Sequence, residues 1–84
     1  MLFIDIRERD LMKYLDDHEI EYETKTLDVG DIHIYRKNRL VCVIERKSAK
    51  DLSSSIVDGR WREQKERMME MKDVADVVYL IEGD

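Results

Sequence analysis

Residues Gly30 to Lys47 read GDIHIYRKNRLVCVIERK, two apolar runs separated by a turn candidate at Lys37-Asn38. Ile32 and Ile34 alternate with polar neighbours, as in a half-buried strand, whereas Leu40-Val41-Cys42-Val43-Ile44 is apolar without interruption and suits a central strand covered on both faces. The spacing predicts a hairpin that forms the spine of the domain. Successive strand side chains alternate between faces, so Glu45 and Lys47 project to one side and Arg46 to the other. Counting back from the turn puts Asp31 about opposite Ile44 or Glu45.

Two carboxylates and an ammonium at the end of a buried strand suit metal-assisted hydrolysis. Asp31 and Glu45 can meet over one divalent cation, and their hard oxygen ligands favour Mg²⁺ or Mn²⁺. Lys47 then orients a water or stabilises transition-state charge. The competing reading is an exposed cross-strand ion pair, worth about 0–1 kcal/mol. It explains poorly why an acid, an Arg and a Lys directly follow a buried strand.

Outward from the hairpin, Leu2-Phe3-Ile4-Asp5-Ile6 predicts a first buried strand, with Asp5 and Glu8 at its close as further acids beside the same metal. Glu8 is equally suited to pairing with Arg7 or Arg9. Leu11, Tyr14 and Leu15 recur at helical spacing behind Asp10, an N-cap candidate, and predict a helix to about Asp17. Ile20 to Thr24 alternates and reads as a half-buried strand antiparallel to the one beginning at Ile32. Ala49 to Val57 is expected to be helical, Asp58-Gly59 breaks it, and from Trp61 a second helix places Trp61, Met68, Met71 and Ala75 on a core stripe. Val77 to Ile81 supplies a last strand. This order predicts an α/β fold, a mixed central β-sheet flanked by helices.

With 84 residues the chain is sized for one small domain. Apolar residues are 43% and charged residues 42%, so it is expected to fold rather than stay disordered, with a heavily charged surface. No apolar stretch reaches bilayer length and the N-terminus lacks a signal pattern. No membrane partner is expected, and an intracellular location is expected. Cys42, the one cysteine, is expected as a buried reduced thiol. The net charge of −5 argues at first against a polyanion partner, but residues 36–67 alone carry a surplus of basic groups. Arg60, Arg62, Gln64, Lys65 and Arg67 could meet phosphates. Glu63 and Glu66 favour the rival, a solvated helix face. His18 and His33 have no companions at metal-ligand spacing, and neither a phosphate loop nor a Ser-His-Asp set is visible.

Gly30-Asp31, Glu45-Arg46-Lys47 and Asp51, together with Asp5-Ile6-Arg7-Glu8 and the segment Ser54 to Lys65 (SSIVDGRWREQK), resemble the signature of the XPF-type nucleases. That family includes the MUS-type junction endonucleases and the archaeal Hef nuclease, within the PD-(D/E)XK fold. The resemblance spans nearly the whole chain and implies a minimal restriction-endonuclease-like core. It makes Asp31 and Glu45 metal ligands, Asp5 and Glu8 further acids of the site with Asp5 also a ligand, and Arg46 and Lys47 the catalytic cations. The implied activity is Mg²⁺- or Mn²⁺-dependent endonucleolytic hydrolysis of branched or flapped DNA, in repair and recombination, which implies the nucleus in a eukaryote and otherwise the cytoplasm. A core of this size leaves apolar sheet surface uncovered, so a homodimer or a partner subunit is expected on physical grounds. Typical members continue with more helix and strand and a tandem helix-hairpin-helix domain, so residues 1–84 are expected to be one nuclease domain shortened at its C-terminus. A catalytically silent DNA-binding or regulatory subunit, or a fragment needing a partner, is the alternative.

Overall fold

A computed structural model describes residues 1–83. Its elements are β1 (Leu2–Asp5), α1 (Arg9–Asp17), β2 (Glu23–Lys25), β3 (Ile32–Arg36), β4 (Arg39–Ser48), α2 (Ala49–Val57), α3 (Arg60–Met69), a 3₁₀ turn (Glu70–Asp73) and β5 (Asp76–Glu82). The strands form one mixed sheet in the order β2-β1-β3-β4-β5. β1 runs parallel to β2 and β4 parallel to β5, while β1/β3 and β3/β4 are antiparallel. The expected fold class holds.

The hairpin forms as predicted. Lys37 and Asn38 both take positive φ (52° and 64°), the conformation that matches a two-residue turn to the strand twist. The register opposes Arg36 to Arg39 and Tyr35 to Leu40, then shifts so that Ile34 faces Cys42 and Ile32 faces Ile44. Val41 is thus the extra residue of a β-bulge. Without it, counting from the turn would set Ile32 against Val43 and flip Asp31 to the face opposite Glu45. The bulge therefore brings the two acids to one side of the sheet.

Each face of the sheet has its own core. Ile4, Leu15 and Ile32, with Ile44 and Tyr22 packed around them, bury the α1 side. Val43, Met68 and Ala75, with Val29, Met71 and Tyr79, bury the α3 side. α2 is started by Ser48, whose Oγ accepts from the Asp51 N–H, and α3 follows Gly59 at φ +79°. Trp61 packs on Tyr79 at 5.1 Å between ring centroids, completing the stripe read from the sequence.

Several local expectations fail. The segment from Ile20 becomes strand only over Glu23–Lys25, fully exposed at the sheet edge, and pairs with β1 instead of β3. Its alternation encoded no neighbour, and the α1 crossover delivers it alongside β1 in parallel. Asp10 is not an N-cap; Glu8 holds that position without a side-chain cap bond. Tyr14 is exposed and stacks on His18 at 4.1 Å. Cys42 is half-buried, not buried. No described helix is long and apolar enough to cross a membrane.

Candidate active site

A cleft of about 420 Å³ opens between the sheet and α3, lined by Asp5, Glu8, Asp31, Glu45 and Lys47 from the sheet side and by Gln64 and Arg67 from α3. The positions follow from alternation. Ile4, Ile32 and Ile44 point into the α1 core, so their chain neighbours Asp5, Asp31 and Glu45 face the other way. The ends of β1 and β3 are stitched by the Asp5 N–H, which donates to the Asp31 carbonyl at 3.0 Å. The Asp31 N–H donates to the Ile44 carbonyl at 2.8 Å, closing the hairpin beside Glu45. Gly30, at φ +78°, leaves no room for a side chain: a Cβ there would stand 2.6 Å from Val43 Cγ1 and 3.3 Å from the Ile44 carbonyl oxygen. His33 Nε2 supports the same loop by donating to the Val29 carbonyl at 2.7 Å.

The sequence candidates take distinct positions. Asp31 Oδ2 accepts from the Arg46 backbone N–H at 2.8 Å. Lys47 Nζ donates to Gln64 Oε1 at 2.8 Å, which fixes the ammonium in the cleft. Burial, then the neighbouring Asp31 charge, raises the pKa of Glu45, while Lys47 and Arg67 pull it back. Burial and the Asp31 charge likewise push Glu8 up to about 7. Asp5 is buried and held by Arg7, whose guanidinium Nε donates to Oδ2 at 3.1 Å and which also reaches the Leu27 carbonyl at 3.2 Å. That guanidinium beside Asp5 keeps its carboxyl below the usual range.

Arg46 points away, as alternation predicts. Its guanidinium lies on the α1 face between Glu82 at 3.0 Å, Asp10 at 3.3 Å and Glu8 at 3.4 Å. These acids, Glu82 foremost, hold it still more firmly protonated. The group resembling a catalytic cation therefore touches the cleft chiefly through its backbone. Of the five phosphate-contact candidates, Gln64 and Arg67 line the cleft. Arg60 pairs with Asp58 at 3.1 Å, and Arg62 and Lys65 border a separate groove with Trp61 and Met69 on the outer side of α3. Sequence reading missed Arg7 as the partner of Asp5, and Asp10 and Glu82 as partners of Arg46. The first was within reach, since the two side chains are two residues apart; the others join positions that only the fold makes adjacent.

Among the described residues no three His, Cys, Asp or Glu side chains surround one point closely enough to hold an ion. Asp5 in particular has its oxygens turned to Arg7. In chemical type, however, the donor set fits a hard divalent cation. Asp31 and Glu45 offer oxygen ligands only, and Glu8 and Glu45 both have raised pKa values because burial and Asp31 crowd negative charge together. An added cation would relieve that crowding.

The profile of the ERCC4 domain matches residues 4–84. The Dictyostelium discoideum protein named probable crossover junction endonuclease mus81 is 39% identical over 85 residues, covering 93% of this chain and 9% of its own length. The zebrafish (Danio rerio) structure-specific endonuclease subunit MUS81 is 31% identical over 94 residues, 92% of this chain and 15% of its own. This chain thus spans a small part of the relatives it matches. XPF from Aeropyrum pernix, solved in complex with DNA, superposes with a TM-score of 0.78 at 27% identity over 99% of this chain and 40% of that one. The match across almost every residue, on a shared fold, means that this chain belongs to the ERCC4 domain family of XPF/MUS-type nucleases.

Proposed function

We propose that the cleft hydrolyses a DNA phosphodiester near flaps, forks or branched junctions, as a Mg²⁺- or Mn²⁺-dependent structure-specific endonuclease. The observation that carries this reading is the convergence of Asp31, Glu45 and Lys47 in one cleft of about 420 Å³. Asp31 and Glu45 would hold the cation, and Asp5 would join them on release from Arg7. A bound ion supplies Lewis-acid polarisation of the phosphoryl oxygen and lowers the pKa of a water. Lys47, held by Gln64, places a positive charge where phosphate charge develops. Gln64 and Arg67 would seat the flanking backbone, while Arg60, Arg62 and Lys65 extend the basic helix outward. Arg46 acts as a positioning residue through the N–H that orients Asp31.

DNA as partner draws support from the XPF relative solved with it, and the location follows the DNA: nucleus in a eukaryote, cytoplasm otherwise. Val78, Leu80 and Ile81 are exposed along the outer strand of the sheet, which supports a homodimer or a partner subunit covering that side. Such a second subunit would share in junction selectivity. The Asp5–Arg7 pair favours a second reading, a silent DNA-binding subunit whose acids never assemble around a metal.

Labelled 3′-flap, fork and plain duplex DNA are incubated with the protein in Mg²⁺ or Mn²⁺, beside Asp31→Ala, Glu45→Ala and an EDTA control. Metal-dependent nicking near the junction, lost in both variants, is the expected result. DNA binding without cleavage by a folded protein would establish the silent subunit instead.

A further inference from the structure

The hydroxyl of Tyr79 is buried and has no hydrogen-bond partner among the described residues. Burying an unpaired hydroxyl is unfavourable, a penalty that Phe at the same position would avoid. Tyr79 lies in direct register with Glu45 across the β4–β5 pair, as Val77 does with Val43 two residues earlier. Laterally paired residues share a face, and Val43 and Val77 meet in the α3-side core. Tyr79 therefore rises beside Glu45, with its ring held at 55° to Trp61 and 5.1 Å from it.

The cleft residues differ in how they are anchored. The Arg46 N–H fixes Asp31, and Gln64 fixes Lys47. Among the described residues no such anchor is seen for Glu45, whereas the unpaired donor belongs to its neighbour in the sheet. We propose that Tyr79 is a positioning residue whose hydroxyl donates to the Glu45 carboxylate, directly or through one water, and fixes the rotamer in which Glu45 meets a divalent cation. Groups that orient a metal ligand typically change affinity 10–100-fold when removed. This inference rests on the metal-dependent reading of the cleft.

The test is Mn²⁺ affinity, read from the electron paramagnetic resonance signal of free Mn²⁺, for the wild-type protein, Tyr79→Phe, Glu45→Ala, Glu45→Gln and the Tyr79→Phe/Glu45→Gln double variant. Tyr79→Phe keeps the ring on Trp61 and removes only the oxygen. It is expected to weaken Mn²⁺ binding by about tenfold while the melting temperature in EDTA stays level or rises. The same change on the Glu45→Gln background is expected to add little. Wild-type affinity in Tyr79→Phe, with binding lost in Glu45→Ala, would overturn the role of Tyr79 and leave the metal site standing. An equal loss on both backgrounds would overturn it too, by showing that the hydroxyl does not act through Glu45. Unchanged binding in Glu45→Ala would overturn the reading of the cleft itself.

Discussion

Asp5 is an acid with 2% side-chain exposure, and its partner Arg7 is a cation with 73%. A buried carboxylate needs such a partner, because desolvation by itself raises its pKa and disfavours its charge. Arg7 reverses that, holding Asp5 below its ordinary range. A depressed carboxylate contributes stability that is present above the unfolded pKa and lost as pH falls through the folded one. Arg7→Ala is therefore expected to melt below the wild type at pH 7, with the gap closing towards pH 3; a gap independent of pH would show that lost packing, not the ion pair, is responsible. Glu8 has the opposite sign. Its pKa is raised to about 7, so the stability it contributes is complete below its ordinary value of 4.5 and lost as pH rises through 7. Glu8→Gln is expected to stabilise the metal-free protein at pH 8 by roughly 1–2 kcal/mol after allowance for screening, and to have little effect near pH 4, in denaturant titrations at both values. Asp5-Ile6-Arg7-Glu8 marked both acids as candidates, and both line the cleft, but their opposite electrostatics were not legible. The difference depends on Asp31 and on burial, which local sequence does not reveal.

At the scale of elements, local rules found most of the hairpin and missed what brings Asp31 and Glu45 to one side of the sheet. The Lys37-Asn38 turn, the apolar run of β4 and the alternation of Glu45, Arg46 and Lys47 are all short-range patterns, and all were legible. The bulge at Val41 was not, because one apolar residue more or fewer in Leu40 to Ile44 leaves the pattern unchanged. The edge position of β2 was hidden for a related reason: three exposed residues carry no pattern that selects a neighbour. Gly30 and Gly59 separate the two costs that such special backbone can carry. Both have positive φ, +78° and +79°, but a Cβ would meet Val43 Cγ1 at 2.6 Å at Gly30 and nothing within 4 Å at Gly59. Gly59→Ala is expected to cost about 1 kcal/mol, the conformational strain alone. Gly30→Ala adds overpacking against Val43 and is expected to cost roughly 2–4 kcal/mol. Urea unfolding of both variants measures the difference, and equal costs would mean that the Gly30 loop moves freely away from β4.

For the whole molecule, the two faces of the sheet are unequally covered. On the α1 side, Ile44 and Arg46 are paired laterally with Val78 and Leu80 of β5, so those two side chains share that face. Yet Val78 remains 43% and Leu80 47% exposed, because the core that α1 closes centres on Ile4, Leu15 and Ile32. Among the described residues, the seven-residue β5 is the outermost strand of the sheet. An uncovered apolar face beside an unpaired edge is a surface on which another chain gains hydrophobic and backbone contacts at once. Glu82 and Arg46 limit the options, since their ion pair fixes polar groups at the end of that strand nearest the cleft. Association is therefore expected through the Val78–Leu80 face. Sedimentation at high micromolar concentration should give a mass above the monomer, and Leu80→Asp should return it to the monomer. Because Leu80 is outside both cores, this variant should melt within a few degrees of the wild type. A wild-type protein that sediments as a monomer at every concentration would leave that face to a different partner chain and remove self-association from the account of how the cleft is used.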